Sequence, residues 1–76
     1  MALGPSQMQL QSLVNLYGQG RFQQALDQAN ALLQQFPNSS ALYNITGAVC
    51  IGLAQLDASI VAYKKAIAMK TKFAIA

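Results

Sequence analysis

The segment GRFQQALDQANALLQQFPN, residues 20–38, has an apolar pattern that recurs 34 residues later in AQLDASIVAYKKAIAMKTK, residues 54–72. Apolar or small side chains recur every three or four residues in each copy, which is the pattern of an amphipathic helix. In the first copy these side chains are Phe22, Ala25, Leu26, Ala29, Leu32, Leu33 and Phe36. In the second copy they are Leu56, Ser59, Ile60, Tyr63, Ala66 and Ile67, each 34 residues after its counterpart. Over residues 6–37 only Ser6 and Gly18 are identical to their counterparts, so the copies share a pattern and not letters.

A further helix is predicted before the first copy. Ser6 and Gln9 have the spacing of a capping box, in which each satisfies a free backbone N–H of the other. The segment GQG, residues 18–20, ends this helix. Its apolar face consists of Leu10, Leu13, Val14 and Tyr17.

A third helix is predicted between the two copies. Pro37 ends the helix of the first copy, because proline cannot continue the hydrogen-bond ladder. Ser39 or Ser40 caps the next helix, which continues to about Leu53. This third helix is apolar on nearly every side, so we expect neighbouring helices on more than one of its faces.

A 34-residue period of helix–turn–helix units resembles the tetratricopeptide repeat (TPR) family. In the second unit, LYNITGAVC is similar to the family's aromatic-x-x-Leu-Gly run, with Tyr43 as the aromatic residue, Gly47 as the glycine and Thr46 in place of leucine. The other matching residues are Ser59, Tyr63 and Ala66 in the second unit and Ala25 and Pro37 in the first. The first unit departs from the pattern at Leu13, which replaces the glycine, and at Ala29, which replaces the aromatic residue.

This resemblance implies an all-α fold of two antiparallel helix pairs in a short right-handed solenoid. We expect a single domain over residues 1–76, with repeat 1 at about 6–39 and repeat 2 at about 40–71. Small residues set the angle within each pair, since helices approach closely only where side chains are small. Thr71 stands where the family has proline, and residues 72–76 are predicted to start a truncated or capping helix, which suggests that the chain is part of a larger protein.

The composition argues against catalysis within these residues. The chain is 54% hydrophobic and 9% charged, has no histidine, and carries only Asp27 and Asp57 as acidic residues. No acid–base pair or catalytic triad can be assembled from this set. Cys50 is the single cysteine, so it forms neither an intrachain disulfide nor a cysteine-based metal site. We therefore expect no enzyme activity, no cofactor and no metal.

The charge distribution predicts neither a nucleic-acid nor a membrane partner. The net charge is +3, and four lysines lie in the last thirteen positions, where they complement the dipole of a helix C-terminus. A nucleic-acid footprint would be denser and interleaved with aromatic residues. The N-terminal segment MALGPSQ lacks the basic and apolar regions of a signal peptide, and no apolar run is long enough to span a membrane. We expect a cytoplasmic location.

The resemblance further implies a protein- or peptide-interaction module, in which the first helix of each pair lines a concave groove. The matching groove positions are Gln7, Leu10, Val14, Tyr17, Ala41, Asn44, Ala48 and Ile51. The carboxylate-binding lysine and asparagine of chaperone-tail binders are replaced by Leu10 and Val14, and Ile45 replaces the asparagine ladder of large glycosyltransferase arrays. The chain also resembles the N-terminal repeats attached to bacterial glycosyltransferases, sulfotransferases or methyltransferases. The alternative is a self-assembly or spacer element that forms a homo-oligomer through an open apolar C-terminal end.

Overall fold

The described part of the chain folds into four α-helices joined by short turns. A computed structural model describes the backbone of residues 4–75 and the side chains of residues 4–70. The helices are α1 (Gln7–Gly18), α2 (Phe22–Gln35), α3 (Ser40–Gly52) and α4 (Leu56–Ile75). The described residues contain no strand, which confirms the all-α prediction. None of these helices has both the length and the hydropathy that a membrane span requires.

Both predicted serine caps are present. The Ser6 Oγ accepts a hydrogen bond from the Gln9 backbone N–H at 3.1 Å, and the Gln9 Oε1 accepts one from the Ser6 N–H at 2.8 Å. This reciprocal pair is the predicted capping box. At α3 the cap is Ser39, whose Oγ accepts a hydrogen bond from the Leu42 N–H at 3.2 Å. Each cap fixes where its helix begins.

The two turns that follow α1 and α3 repeat each other bond for bond. After α1, the Gly20 N–H donates to the Tyr17 carbonyl at 3.0 Å and the Arg21 N–H to the Leu16 carbonyl at 2.9 Å. After α3, the corresponding bonds from Ala54 and Gln55 measure 2.9 and 2.8 Å. This pattern is the Schellman motif, which places one residue in the left-handed conformation. The internal repeat is therefore a repeat of backbone geometry.

The core packs small against large side chains, with the sizes exchanged between the two helix pairs. In the first pair, Leu13 of α1 and Ala29 of α2 are both fully buried in one cluster with Leu32 and Leu42. In the second pair, the glycine is on α3 and the aromatic residue is on α4, because a Cβ built on Gly47 would lie 2.8 Å from the Tyr63 ring. The two departures from the family pattern thus compensate each other, since the volume at the helix crossing is kept.

Helix α3 lies at the centre, as its apolar circumference predicts. It packs against α1, α2 and α4, whereas no Cα atom of α2 lies within 8 Å of a Cα atom of α4 in the described part of the chain. The buried Thr46 does not leave an unsatisfied polar group, because its Oγ1 donates to the Leu42 carbonyl at 2.7 Å. A threonine is thereby tolerated in the core.

The C-terminal boundary differs from the prediction. Helix α4 continues without a break from Leu56 to Ile75, so residues 72–75 belong to it and do not start a new helix. Between residues 56 and 75 there is no proline or glycine, and Thr71 does not interrupt the ladder as proline would. Ala76, the last residue of the predicted new helix, lies outside the described residues.

Candidate protein-interaction surface

The predicted groove residues lie on α1 and α3, two helices that pack against each other. We call this set of residues the α1–α3 surface: Gln7, Leu10, Val14, Tyr17, Ala41, Asn44, Ala48 and Ile51. Its large apolar members are open to solvent, with exposed fractions of 48% for Val14, 39% for Tyr17 and 50% for Ile51. Val14, Tyr17 and Ile51 therefore lie outside the core and are accessible from solvent.

The other members of the α1–α3 surface divide between solvent and core. Gln7 and Ala41 are exposed, whereas Leu10, Asn44 and Ala48 are half-buried. Leu10 packs against the core cluster, so part of its side chain already serves the fold. The α1–α3 surface is therefore partly covered and mostly apolar, with the two amide side chains of Gln7 and Asn44 for polar contacts.

Tyr17 is held in place by an aromatic neighbour. Its ring meets the Phe22 ring edge to face, with 5.4 Å between centroids and an angle of 62°. The Phe22 ring in turn lies over Gly52, where an added Cβ would be 2.7 Å from the ring Cδ1. Phe22 thus connects Tyr17 on α1 with the C-terminal end of α3, next to Ile51. The ring of Tyr17 is pre-positioned, which lowers the entropy cost of using it in binding.

A concave feature that the sequence did not predict lies between α2 and α4. This groove has a volume of about 450 Å³. Its lining residues, none of which belongs to the α1–α3 surface, are Leu26, Asn30 and Leu33 of α2, Tyr43, Thr46 and Cys50 of α3, and Ala58, Val61, Ala62 and Lys65 of α4. The Lys65 Nζ lies 5.6 Å from the centroid of the Tyr43 ring, a cation–π arrangement at the edge of the groove.

The groove leaves a faint signal in the sequence. Ala58 and Ala62 are small residues one helical turn apart on α4, and both line the groove. Their short side chains do not fill the space between α2 and α4, whose Cα atoms are all more than 8 Å apart. From the sequence, small residues at helical spacing predict a close contact between helices. Only the separation of α2 from α4 shows that they border a space.

Cys50 forms part of the floor of this groove but is nearly inaccessible. Its side chain is 2% exposed, and burial raises the pKa of the thiol above the ordinary value of 9.0. A thiol kept protonated is a poor nucleophile.

The apolar side chains on α4 form a third exposed feature. Leu56, Ile60 and Ile67, which we call the α4 stripe, follow one another at helical spacing and are 61%, 52% and 65% exposed. Val61 is 52% exposed as well, but it lies on the side of α4 that borders the α2–α4 groove.

No protein-family model, characterised protein or solved structure matches this chain.

Proposed function

We propose that this chain is a non-catalytic interaction module of the TPR type, which binds an apolar peptide segment of a partner protein on the α1–α3 surface. The observation that carries the proposal is the exposure of Val14, Tyr17 and Ile51 on two helices that pack together. Removing such side chains from water is the main source of affinity at protein interfaces, and tyrosine is enriched among the residues that contribute most.

The arrangement of the helices supports the TPR assignment. The first helices of the two units, α1 and α3, adjoin each other, while the second helices, α2 and α4, stay apart. The α3 residues that line the α2–α4 groove, Tyr43, Thr46 and Cys50, are not members of the α1–α3 surface. The repeated Schellman turns at the same offset support one building block used twice.

The polar groups of the α1–α3 surface give the bound peptide its orientation. Asn44 carries a donor and an acceptor, which suit the N–H and C=O groups of a peptide backbone. The lysines with described side chains, Lys64, Lys65 and Lys70, all lie on α4 and not on this surface. Affinity for the peptide should therefore depend weakly on salt, because no charge pair is screened.

The test is a selection of peptides from a random library displayed on phage, with the 76-residue chain as bait. The selected peptides should be rich in apolar residues and should bind with similar affinity at low and high salt. Ile51→Ser and Tyr17→Ala should each weaken binding by roughly 1–2 kcal/mol, as expected for interface side chains of this kind. Fluorescence anisotropy with a labelled peptide measures the affinity.

Val61→Ser is the matched control for Ile51→Ser, because the two side chains are 52% and 50% exposed and lie on different faces. The control should bind like the parent. Circular dichroism verifies that Tyr17→Ala, which also loses the contact with Phe22, remains folded. Peptides that bind Ile51→Ser and Tyr17→Ala as well as the parent, or that bind only at low salt, would place the binding surface elsewhere.

A further inference from the structure

The internal repeat shows what the α4 stripe is shaped to contact. Leu56, Ile60 and Ile67 lie 34 positions after Phe22, Leu26 and Leu33 of α2. In α2 these three positions are half-buried, whereas in α4 they are 61%, 52% and 65% exposed. The difference arises because α2 packs against two helices, α1 and α3, whereas α4 packs against α3 alone in the described part of the chain.

The contact of α2 with α3 defines the complementary surface. At one end, the Phe22 ring occupies the space left by the missing side chain of Gly52. At the other end, Leu33 packs against the core cluster that contains Leu42, which is fully buried. A helix that fits the α4 stripe should therefore carry an apolar residue and a glycine ten positions apart, as Leu42 and Gly52 are on α3.

Helix α1 carries this pair and leaves it uncovered. Met8 and Gly18 lie 34 positions before Leu42 and Gly52. Met8 is 83% exposed where Leu42 is fully buried. A Cβ built on Gly18 would meet nothing within 4 Å, so the space that Phe22 fills at Gly52 is open at Gly18. Within one copy, α1 and α4 do not pack against each other in the described part of the chain. The exposed face of α1 can therefore meet the α4 stripe of a second copy.

Charge favours α1 over a second α4 as the contact. Residues 7–18 contain no charged side chain. The sequence of α4 contains one acidic residue, Asp57, and four lysines, Lys64, Lys65, Lys70 and Lys72, so two copies of α4 placed side by side would repel through their net positive charge. Asn15 of α1 occupies the position of Val49 in α3. The contact of α4 with α1 is therefore more polar than the contact of α2 with α3. The association should accordingly be weaker than the packing of α2 on α3.

We propose that copies of this chain associate head to tail, with the α4 stripe of one copy packed on the Met8–Gly18 face of α1 in the next, as α2 packs on α3 within one copy. Leu56 then lies over Gly18 of the neighbouring copy. The interface joins two different faces, so each added copy leaves one α4 stripe and one α1 face free, and assembly proceeds beyond a dimer or closes into a ring. This goes beyond the proposed peptide binding and uses neither Tyr17 nor Ile51.

Two blocking variants test the proposal. Ile60→Asp places a charge in the α4 stripe, and Met8→Asp places one on the α1 face; both positions are exposed, so the fold is retained. Sedimentation velocity from micromolar to millimolar concentration should show the parent growing in mass with concentration. Each variant alone should associate more than about tenfold more weakly, because a charge is left unpaired in an apolar contact.

An equimolar mixture of Ile60→Asp and Met8→Asp is the decisive sample. Each variant retains the face that the other lacks, so the mixture should form a heterodimer that does not grow further. Val61→Asp, with an exposure equal to that of Ile60 but on another side of α4, is the matched control and should assemble like the parent. A parent chain that is monomeric throughout the series overturns the proposal. So does a Met8→Asp variant that still associates, since that result indicates pairing of α4 with α4, and so does a mixture without a heterodimer.

Discussion

Gly20 and Ala54 occupy the same place in the two Schellman turns, and they show how one backbone conformation is met by different residues. Both have a positive φ, 76° at Gly20 and 60° at Ala54. Glycine adopts this left-handed conformation without strain, whereas a residue with a Cβ is strained by about 1–2 kcal/mol. The turn after α3 therefore holds a strain that the turn after α1 does not.

Exchanging the residues at these two positions should have opposite effects. Ala54→Gly should raise the free energy of unfolding by about 1 kcal/mol, because the strain is relieved at some entropic cost in the unfolded chain. Gly20→Ala should lower it by about 1 kcal/mol or more for the same steric reason. Urea denaturation followed by circular dichroism measures both. A loss of stability in Ala54→Gly would contradict the assignment of strain to this turn.

At the scale of the helices, packing decides what each glycine does. Gly47 and Gly52 both lie under aromatic rings, at distances that leave no room for a Cβ, while Gly18 faces open space. The first two glycines permit close approach of α4 and α2 to α3. Residues of one type in the same kind of helix thus have different structural roles.

Adding a methyl group at these sites should separate the two roles. Gly47→Ala should destabilise the fold by roughly 1–3 kcal/mol, since the Tyr63 ring must move away from the crossing of α3 and α4. Gly18→Ala is the matched control and should gain about 0.5–1 kcal/mol from helix propensity. Thermal unfolding at a concentration at which the chain is monomeric measures both changes. Equal melting temperatures for Gly47→Ala and the parent would mean that the crossing is less tight than the structure indicates.

At the scale of the whole molecule, burial of Cys50 couples folding to pH. Desolvation raises the pKa of the thiol in the folded chain above its ordinary value of 9.0. The unfolded chain releases this proton first as the pH rises. The contribution of the neutral thiol to stability is therefore fully present below about pH 9 and is lost as the pH rises through the folded pKa.

This coupling predicts how the parent and Cys50→Ala differ along a pH series. Their difference in free energy of unfolding should be constant between neutral pH and about pH 8, and should shift against the parent at higher pH. Contributions from groups that both chains share cancel in the difference. Urea denaturation at each pH provides the values. A difference that stays constant up to the alkaline limit of folding would show that the thiol is accessible to solvent in the folded chain.

The sequence by itself determined the local structure. The serine caps, Pro37 and the glycine-containing turn after α1 act through neighbouring backbone atoms, and the apolar period follows from 3.6 residues per turn, so all are readable along the chain. The 34-residue offset also predicted which positions correspond. The prediction that a new helix starts at residues 72–76 was wrong, because α4 continues to Ile75. Position 71 holds threonine and not proline, so no local signal ends α4 there.

Only the tertiary structure decided which faces are covered. Leu26 and Ile60 are equivalent in the repeat, but Leu26 is half-buried and Ile60 is exposed. The reason is that α2 packs against both α1 and α3, whereas α4 packs against α3 alone in the described part of the chain. The same holds for Leu42 and Met8. The α2–α4 groove likewise follows from the distance between two helices that are remote in sequence. Burial depends on neighbours brought together by the whole fold, and a pattern along one helix carries no information about whether such a neighbour is present.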